Sequence, residues 1–181
     1  MSHYRVAVFA NNPYQFDELL APYSETDEEY FEFMPLDDDG YQFARAAYDR
    51  MPDDVKPESF ERFLTDEGYV NDPVSGEVGY MANPNAKWDY YTLDGGDWMF
   101  SLKKGEQYDK NGNARKNQFN YKDDYPYAFI TPDGEWHAPG RVGWFAMSDD
   151  TPESIAAYEA EWKAWIASPE NPYVNFVDCH I

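Results

Sequence analysis

This sequence is poor in cysteine and in basic residues, and it has no long apolar run. Its single cysteine, Cys179, excludes an internal disulfide and therefore a secreted disulfide scaffold. Fourteen Lys and Arg face 35 Asp and Glu, a net charge of −21. That balance argues against a protein that neutralises nucleic-acid phosphates, and against docking on anionic membranes. Apolar stretches fall well short of the roughly 18 residues that span a bilayer. The start, MSHYRVAVFANNPYQF, has no basic leader and no apolar run of signal-peptide length. No Asn-x-Ser/Thr acceptor is present. A cytoplasmic protein is expected. GxSxG, P-loop, CxxC and HExxH patterns are also missing, so the common nucleophile, phosphate and zinc signatures do not apply.

What is present points to a packed core. Hydrophobic residues make up 43% and aromatics 19%, far more than disordered chains carry. A chain of 181 residues suits one domain, and no repeat or Gly/Ser linker divides 1–181. The charge is uneven. Residues 1–80 carry 19 acids against 5 bases, while residues 81–181 carry 16 against 9. No base lies between Arg5 and Arg45, where ten acids fall. Six bases cluster between Lys103 and Lys122, which predicts a basic hairpin or loop at about 103–122.

Periodicity predicts an α+β fold. HYRVAVFA (3–10) alternates as a strand and ends at Asn12-Pro13. Short helical spacing follows from Phe16 to Leu20, and residues 24–39 read as an acidic loop or helix. Tyr41 to Met51 reads as a helix with Phe43, Ala44, Ala47 and Tyr48 on its apolar face. Pro57-Glu58-Ser59 opens another, carrying Phe60, Phe63 and Leu64 and ended by Gly68. Residues 77–131 read as β-hairpins, with a Gly95-Gly96 turn and a Thr131-Pro132-Asp133-Gly134 turn. Thr151 caps a helix to Ala167 whose stripe is Ile155, Tyr158, Trp162, Trp165 and Ile166. YVNFVDCHI closes the chain as a strand. The expected architecture is an antiparallel or mixed sheet, built on the N- and C-terminal strands and packed by about three helices.

Candidate sites follow from residue chemistry. Asp27, Glu28, Glu29, Glu32, Asp37, Asp38 and Asp39 form the densest acidic run, and DNA carries one charge per roughly 1.7 Å. Carboxylates at similar spacing can occupy a basic nucleic-acid channel on a partner. Neither PLDDDG nor DKNGNA meets the calcium-loop pattern, and no metal or cofactor is expected. Of three histidines, His3 is expected to fray, which leaves His137 and His180 for acid–base work. Asp178 shares a strand face with His180, and Asp89 or Asp178 would orient an imidazole. Arg141 is the basic residue nearest the Trp136–His137 loop in sequence. Among six tryptophans, Trp88 and Trp136 lie beside polar loop residues and are the ligand-contact candidates. Direct nucleic-acid contact is not expected, with Lys103, Lys104, Arg115 and Lys116 as the one place for an exception; lysines guarding a sheet edge are the favoured reading there.

Three segments, NPNAKWDYY (83–91), TPDGEWHAPGRVGWFAMS (131–148) and the terminal VDCHI (177–181), together resemble a scattered group of phage and prophage proteins. That group tends to carry an NP-x-x-KWD-aromatic segment followed by a Gly-Gly turn and Trp, here Gly95, Gly96 and Trp98. Where the group often has Arg after the double glycine, this chain has Asp97, which argues against anion binding at that turn. The resemblance covers about the second half of the chain. It implies a mobile-element accessory protein acting in the host cytoplasm, of the anti-CRISPR type. The expected function is then counter-defence: binding and inhibiting a host nucleic-acid-handling enzyme, a CRISPR nuclease first, through the acidic surface and without catalysis. The alternative is a small phosphodiesterase or nucleotide-binding protein using the Trp136–His137 loop.

Overall fold

A computed structural model describes residues 3–93, 100–122, 124–141 and 148–181. The expected Gly95-Gly96 turn, with Asp97 and Trp98, lies outside the described residues, as does Trp144. In chain order the elements are β1 (His3–Ala10), α1 (Phe16–Leu20), β2 (Glu32–Pro35), α2 (Asp38–Asp49), α3 (Phe60–Asp66), β3 (Val70–Asn71), β4 (Val78–Ala82), β5 (Tyr90–Thr92), β6 (Ala114–Arg115), β7 (Ala128–Ile130), β8 (Trp136–His137), α4 (Pro152–Ala167) and β9 (Tyr173–His180). The fold is α+β, with both terminal strands in place. Among the described residues no helix is long and apolar enough to cross a membrane. Contacts cluster the chain into two compact units, Met1–Thr26 with Asn85–Ile181, and Asp27–Pro84.

The first unit is built on one mixed sheet in the order β5-β9-β1-β7-β8, with β6 also on β9. β1 and β9 pair antiparallel over their full length, from His3 opposite His180 to Ala10 opposite Tyr173. β7 joins β1 in parallel. Alternation then sorts side chains to two faces. Tyr4, Val6 and Val8 meet Val177 and Cys179 on one face, covered by Phe16 and Leu20 of α1 and by Trp88. Ala7 and Phe9 meet Val174 and Phe176 on the other, covered by Tyr158 and Trp162 of α4. Helix α4 starts as the sequence predicts. The Thr151 hydroxyl accepts from the Ser154 N–H at 3.1 Å, and the Ser154 hydroxyl accepts from the Thr151 N–H at 2.9 Å. Between β7 and β8 the predicted turn forms. Gly134 N–H donates to the Thr131 carbonyl at 2.9 Å, and Gly134 takes φ +90°, a left-handed value that favours glycine.

The second unit is smaller and has a smaller buried core. Ala44, Phe60, Phe63 and Leu64 are its buried hydrophobic residues, with Ala47, Tyr48, Met51, Tyr69 and Val78 packed around them. Its sheet runs β2-β4-β3. Ser59 caps α3, accepting from the Arg62 N–H at 3.1 Å, and Gly68 follows its end at φ +86°.

Several expectations change here. Phe43 is 76% exposed, because α2 turns Ala44, Ala47 and Tyr48 inward at i, i+3 and i+4, and Phe43 lies off that stripe. Residues 24–39 are neither loop nor a single helix; they hold a short 3₁₀ turn at Glu28–Tyr30, then β2. β4 does not make a hairpin with the WDYYTL strand. It sits between β2 and β3, while β5 pairs with β9.

Candidate functional site

The acidic residues stand in the second unit. Residues 27–84 hold 16 acids and 4 bases, a net −12 carried by a third of the chain. Two of the seven predicted partner-binding acids have structural work. Asp27 accepts from the Glu29 N–H at 3.1 Å, and Asp37 caps α2 by accepting from the Gly40 N–H at 2.7 Å. Asp38 and Asp39 occupy the first turn of α2, where the helix dipole favours negative charge. Glu28, Glu29 and Glu32 are exposed. Phe43 lies one turn after Asp39 on the same helix, so acid and aromatic share a face. The unit also exposes Val55, Val74, Tyr80 and Met81.

The predicted histidine cluster separates into two places. His180 Nδ1 lies 2.7 Å from Asp89 Oδ1 at the β5 side of the sheet. His137 sits on β8, which β1 and β7 separate from β9. Three interstrand steps of about 4.8 Å put the two histidines at least ~14 Å apart. His137 instead stacks on Phe129 at 4.4 Å, its Nδ1 2.8 Å from Glu161 Oε1. The open cleft beside it, about 700 Å³, is lined by Thr131, Asp133, Glu135, Trp165 and Glu170 as well as His137. Such a lining repels a phosphodiester.

His3, expected to fray, is held in β1. Its Nδ1 lies 3.2 Å from both carboxylate oxygens of Asp178, and its ring meets His180 edge-on at 4.9 Å. Two His–Asp pairs therefore stand side by side, each carboxylate fixing its ring as acceptor. The signal for this was in the sequence, since two terminal strands paired antiparallel bring His3 opposite His180. Acid–base chemistry there would still need a positive group for a phosphoryl centre. Arg5, the base beside these pairs on β1, is turned away to Asp124 and the Tyr125 carbonyl, both at 2.9 Å.

Three of the six bases in the stretch 103–122 make bonds within the fold. Lys116 is only 2% exposed. Its ammonium donates to the carbonyls of Trp165 (2.6 Å) and Ser168 (3.2 Å) and to the Ser168 hydroxyl (2.7 Å). Arg115 donates to the Asn171 carbonyl at 2.8 Å and lies over the Tyr173 ring. Lys103 donates to the Asn117 carbonyl at 2.7 Å. Lys116 is thus removed from the nucleic-acid candidates, because its charge is spent at the end of α4. Lys104 stays exposed.

Of the tryptophan candidates, Trp88 is core, packed edge-on against Tyr91 at 4.7 Å. Trp136 is half-buried against Tyr23 and lines a cavity of about 260 Å³ with Tyr4, Tyr127, Lys87 and Arg141. Sequence reasoning missed Lys87, whose distance in sequence from Arg141 hides their common cleft. Burial and then the neighbouring Arg141 charge pull the Lys87 ammonium below the usual lysine range, against the smaller pull of Asp149. Among the described residues no three His, Cys, Asp or Glu side chains are grouped to hold a metal. No known protein family, curated protein or solved structure matches this chain.

Proposed function

We propose that the chain is a mobile-element counter-defence protein that docks its acidic unit, residues 27–84, on the basic nucleic-acid surface of a host enzyme in the host cytoplasm, a CRISPR nuclease first among them. The observation that carries this is the concentration of net −12 in 58 contiguous residues, with Phe43 exposed one turn from Asp39. Carboxylates steer the encounter with a basic partner. An exposed aromatic supplies the desolvated anchor that charge alone does not give. The resemblance of the second half to phage and prophage proteins supports the setting. Catalysis at the Trp136–His137 loop has less behind it, since His137 is held by Glu161 in an acidic cleft and lies far from His180.

The test is a DNA-binding and cleavage assay across a panel of purified CRISPR nucleases with the intact chain added. At least one nuclease is expected to lose DNA binding in proportion to added chain. Unchanged binding and cleavage across the panel would contradict the proposal.

A further inference from the structure

We propose that the cleft walled by Tyr4, Tyr127 and Trp136 binds a nucleoside 5′-monophosphate, a phosphate monoester whose sugar also carries a flat aromatic base. The cleft belongs wholly to the first unit. β1 supplies Tyr4, the residue before β7 supplies Tyr127, and β8 supplies Trp136. Lys87 comes from the segment before β5, and Arg141 from the segment after β8. Together they enclose about 260 Å³, room for a small ligand and no more.

The charge arrangement is unusual for this chain. Two cations line one cleft of a protein with net charge −21. Among the described residues neither Lys87 nor Arg141 makes an ion pair. Two carboxylates border the same cleft: Asp149 accepts from the Arg141 backbone N–H at 2.6 Å and Asp150 from the Tyr127 hydroxyl at 3.2 Å, and among the described residues neither forms an ion pair with the Lys87 ammonium or the Arg141 guanidinium. A half-buried lysine beside an arginine is unfavourable unless an anion joins them. A phosphate monoester carries close to two negative charges and matches the pair. The guanidinium fork takes two of its oxygens while the ammonium acts as a point charge.

The walls select what the phosphate is attached to. Both phenol hydroxyls already donate, Tyr4 to the Lys87 carbonyl and Tyr127 to Asp150. The tyrosines therefore offer ring surface rather than new hydrogen bonds. One side of Trp136 packs on Tyr23 at 4.9 Å. Aromatic surface beside paired cations suits a nucleobase next to its phosphate.

Isothermal titration of the intact chain tests this with the four nucleoside 5′-monophosphates, adenosine, ribose 5-phosphate and inorganic phosphate. At least one monophosphate is expected to bind in the roughly 10 to 100 μM range, and adenosine, ribose 5-phosphate and inorganic phosphate at least about tenfold more weakly. Lys87→Gln and Arg141→Gln should each weaken the monophosphate at least about tenfold, while Lys87→Arg and Arg141→Lys retain most of the binding. Since neither side chain makes an ion pair among the described residues, none of the four variants should lower the thermal midpoint, and the Gln variants relieve the repulsion between the two cations. No binding by any monophosphate, equal binding by adenosine, by ribose 5-phosphate or by inorganic phosphate, or affinity unaltered in the Gln variants would overturn the proposal.

Discussion

The Lys116 ammonium donates to the Trp165 carbonyl at 2.6 Å and so closes the last turn of α4 from outside the helix. A cation at a helix C-terminus meets the negative end of the dipole, and here it adds to the bond that the Trp165 carbonyl already accepts from the Ser168 N–H at 3.1 Å. The same lysine lies over the Trp165 ring at 4.7 Å. Replacing Lys116 with Met keeps the stem and removes every bond that the ammonium donates. We expect a loss of about 2 to 3 kcal/mol in urea unfolding. Lys104→Met, at an exposed position, should change stability by less than about 0.5 kcal/mol. Equal effects of the two would show that the contact does not hold α4.

Cys179 is fully buried, and its thiol is raised far above its usual 9.0, chiefly by burial and next by Asp178. The native protein should therefore not react with a thiol reagent at pH 8 and should react with one equivalent once unfolded. The same shift has a sign in the pH dependence. Buried Tyr4, Tyr121 and Tyr158 are also raised above 10.0, each first by burial. The folded chain keeps protons that the unfolded chain gives up, so stability is full below about pH 9 and falls as pH climbs beyond it. Urea midpoints at pH 8 and pH 10.5 check this; a higher midpoint at pH 10.5 would contradict it.

Phe43 and Phe60 separate surface from core in the acidic unit. Phe43→Ala should leave the thermal midpoint nearly unchanged and weaken nuclease binding about tenfold or more. Phe60→Ala removes a ring that contacts Tyr41, Tyr48 and Phe63 and should cost about 3 to 5 kcal/mol. Full binding by Phe43→Ala would remove the aromatic anchor from the account.

The elements whose signals are local were legible in the sequence. β1 and β9 alternate over eight residues each, and α4 announces its start with Thr151-Pro152. β2 was hidden because four strand residues, Glu32 to Pro35, give too short a pattern inside an acidic run. The partner of β4 was illegible because sheet pairing is non-local, and hairpin spacing suggested the wrong neighbour. Lys116 misled for a related reason: a basic run reads as solvated, and nothing in the segment announces carbonyls some fifty residues later in the chain. Asp89 with His180 was named from chemistry, whereas His137 joined them only through a loop position that the sheet order does not support. Lys87 and Arg141 converge through β1, β7 and β8, which no spacing encodes.

The most direct measurement of the central claim is the salt dependence of the inhibitory complex, in wild type and in a Glu28→Lys/Glu29→Lys/Glu32→Lys variant. These three acids are exposed and cap no helix, so charge is reversed without removing the Asp37 bond to Gly40. Exposed charges are screened over about 8 Å at physiological ionic strength. If the acidic unit is the docking surface, affinity of the wild type for its nuclease falls steeply as salt rises, and the triple variant binds at least about a hundredfold more weakly with an unchanged thermal midpoint. An affinity indifferent to salt and to the three reversals would contradict the account.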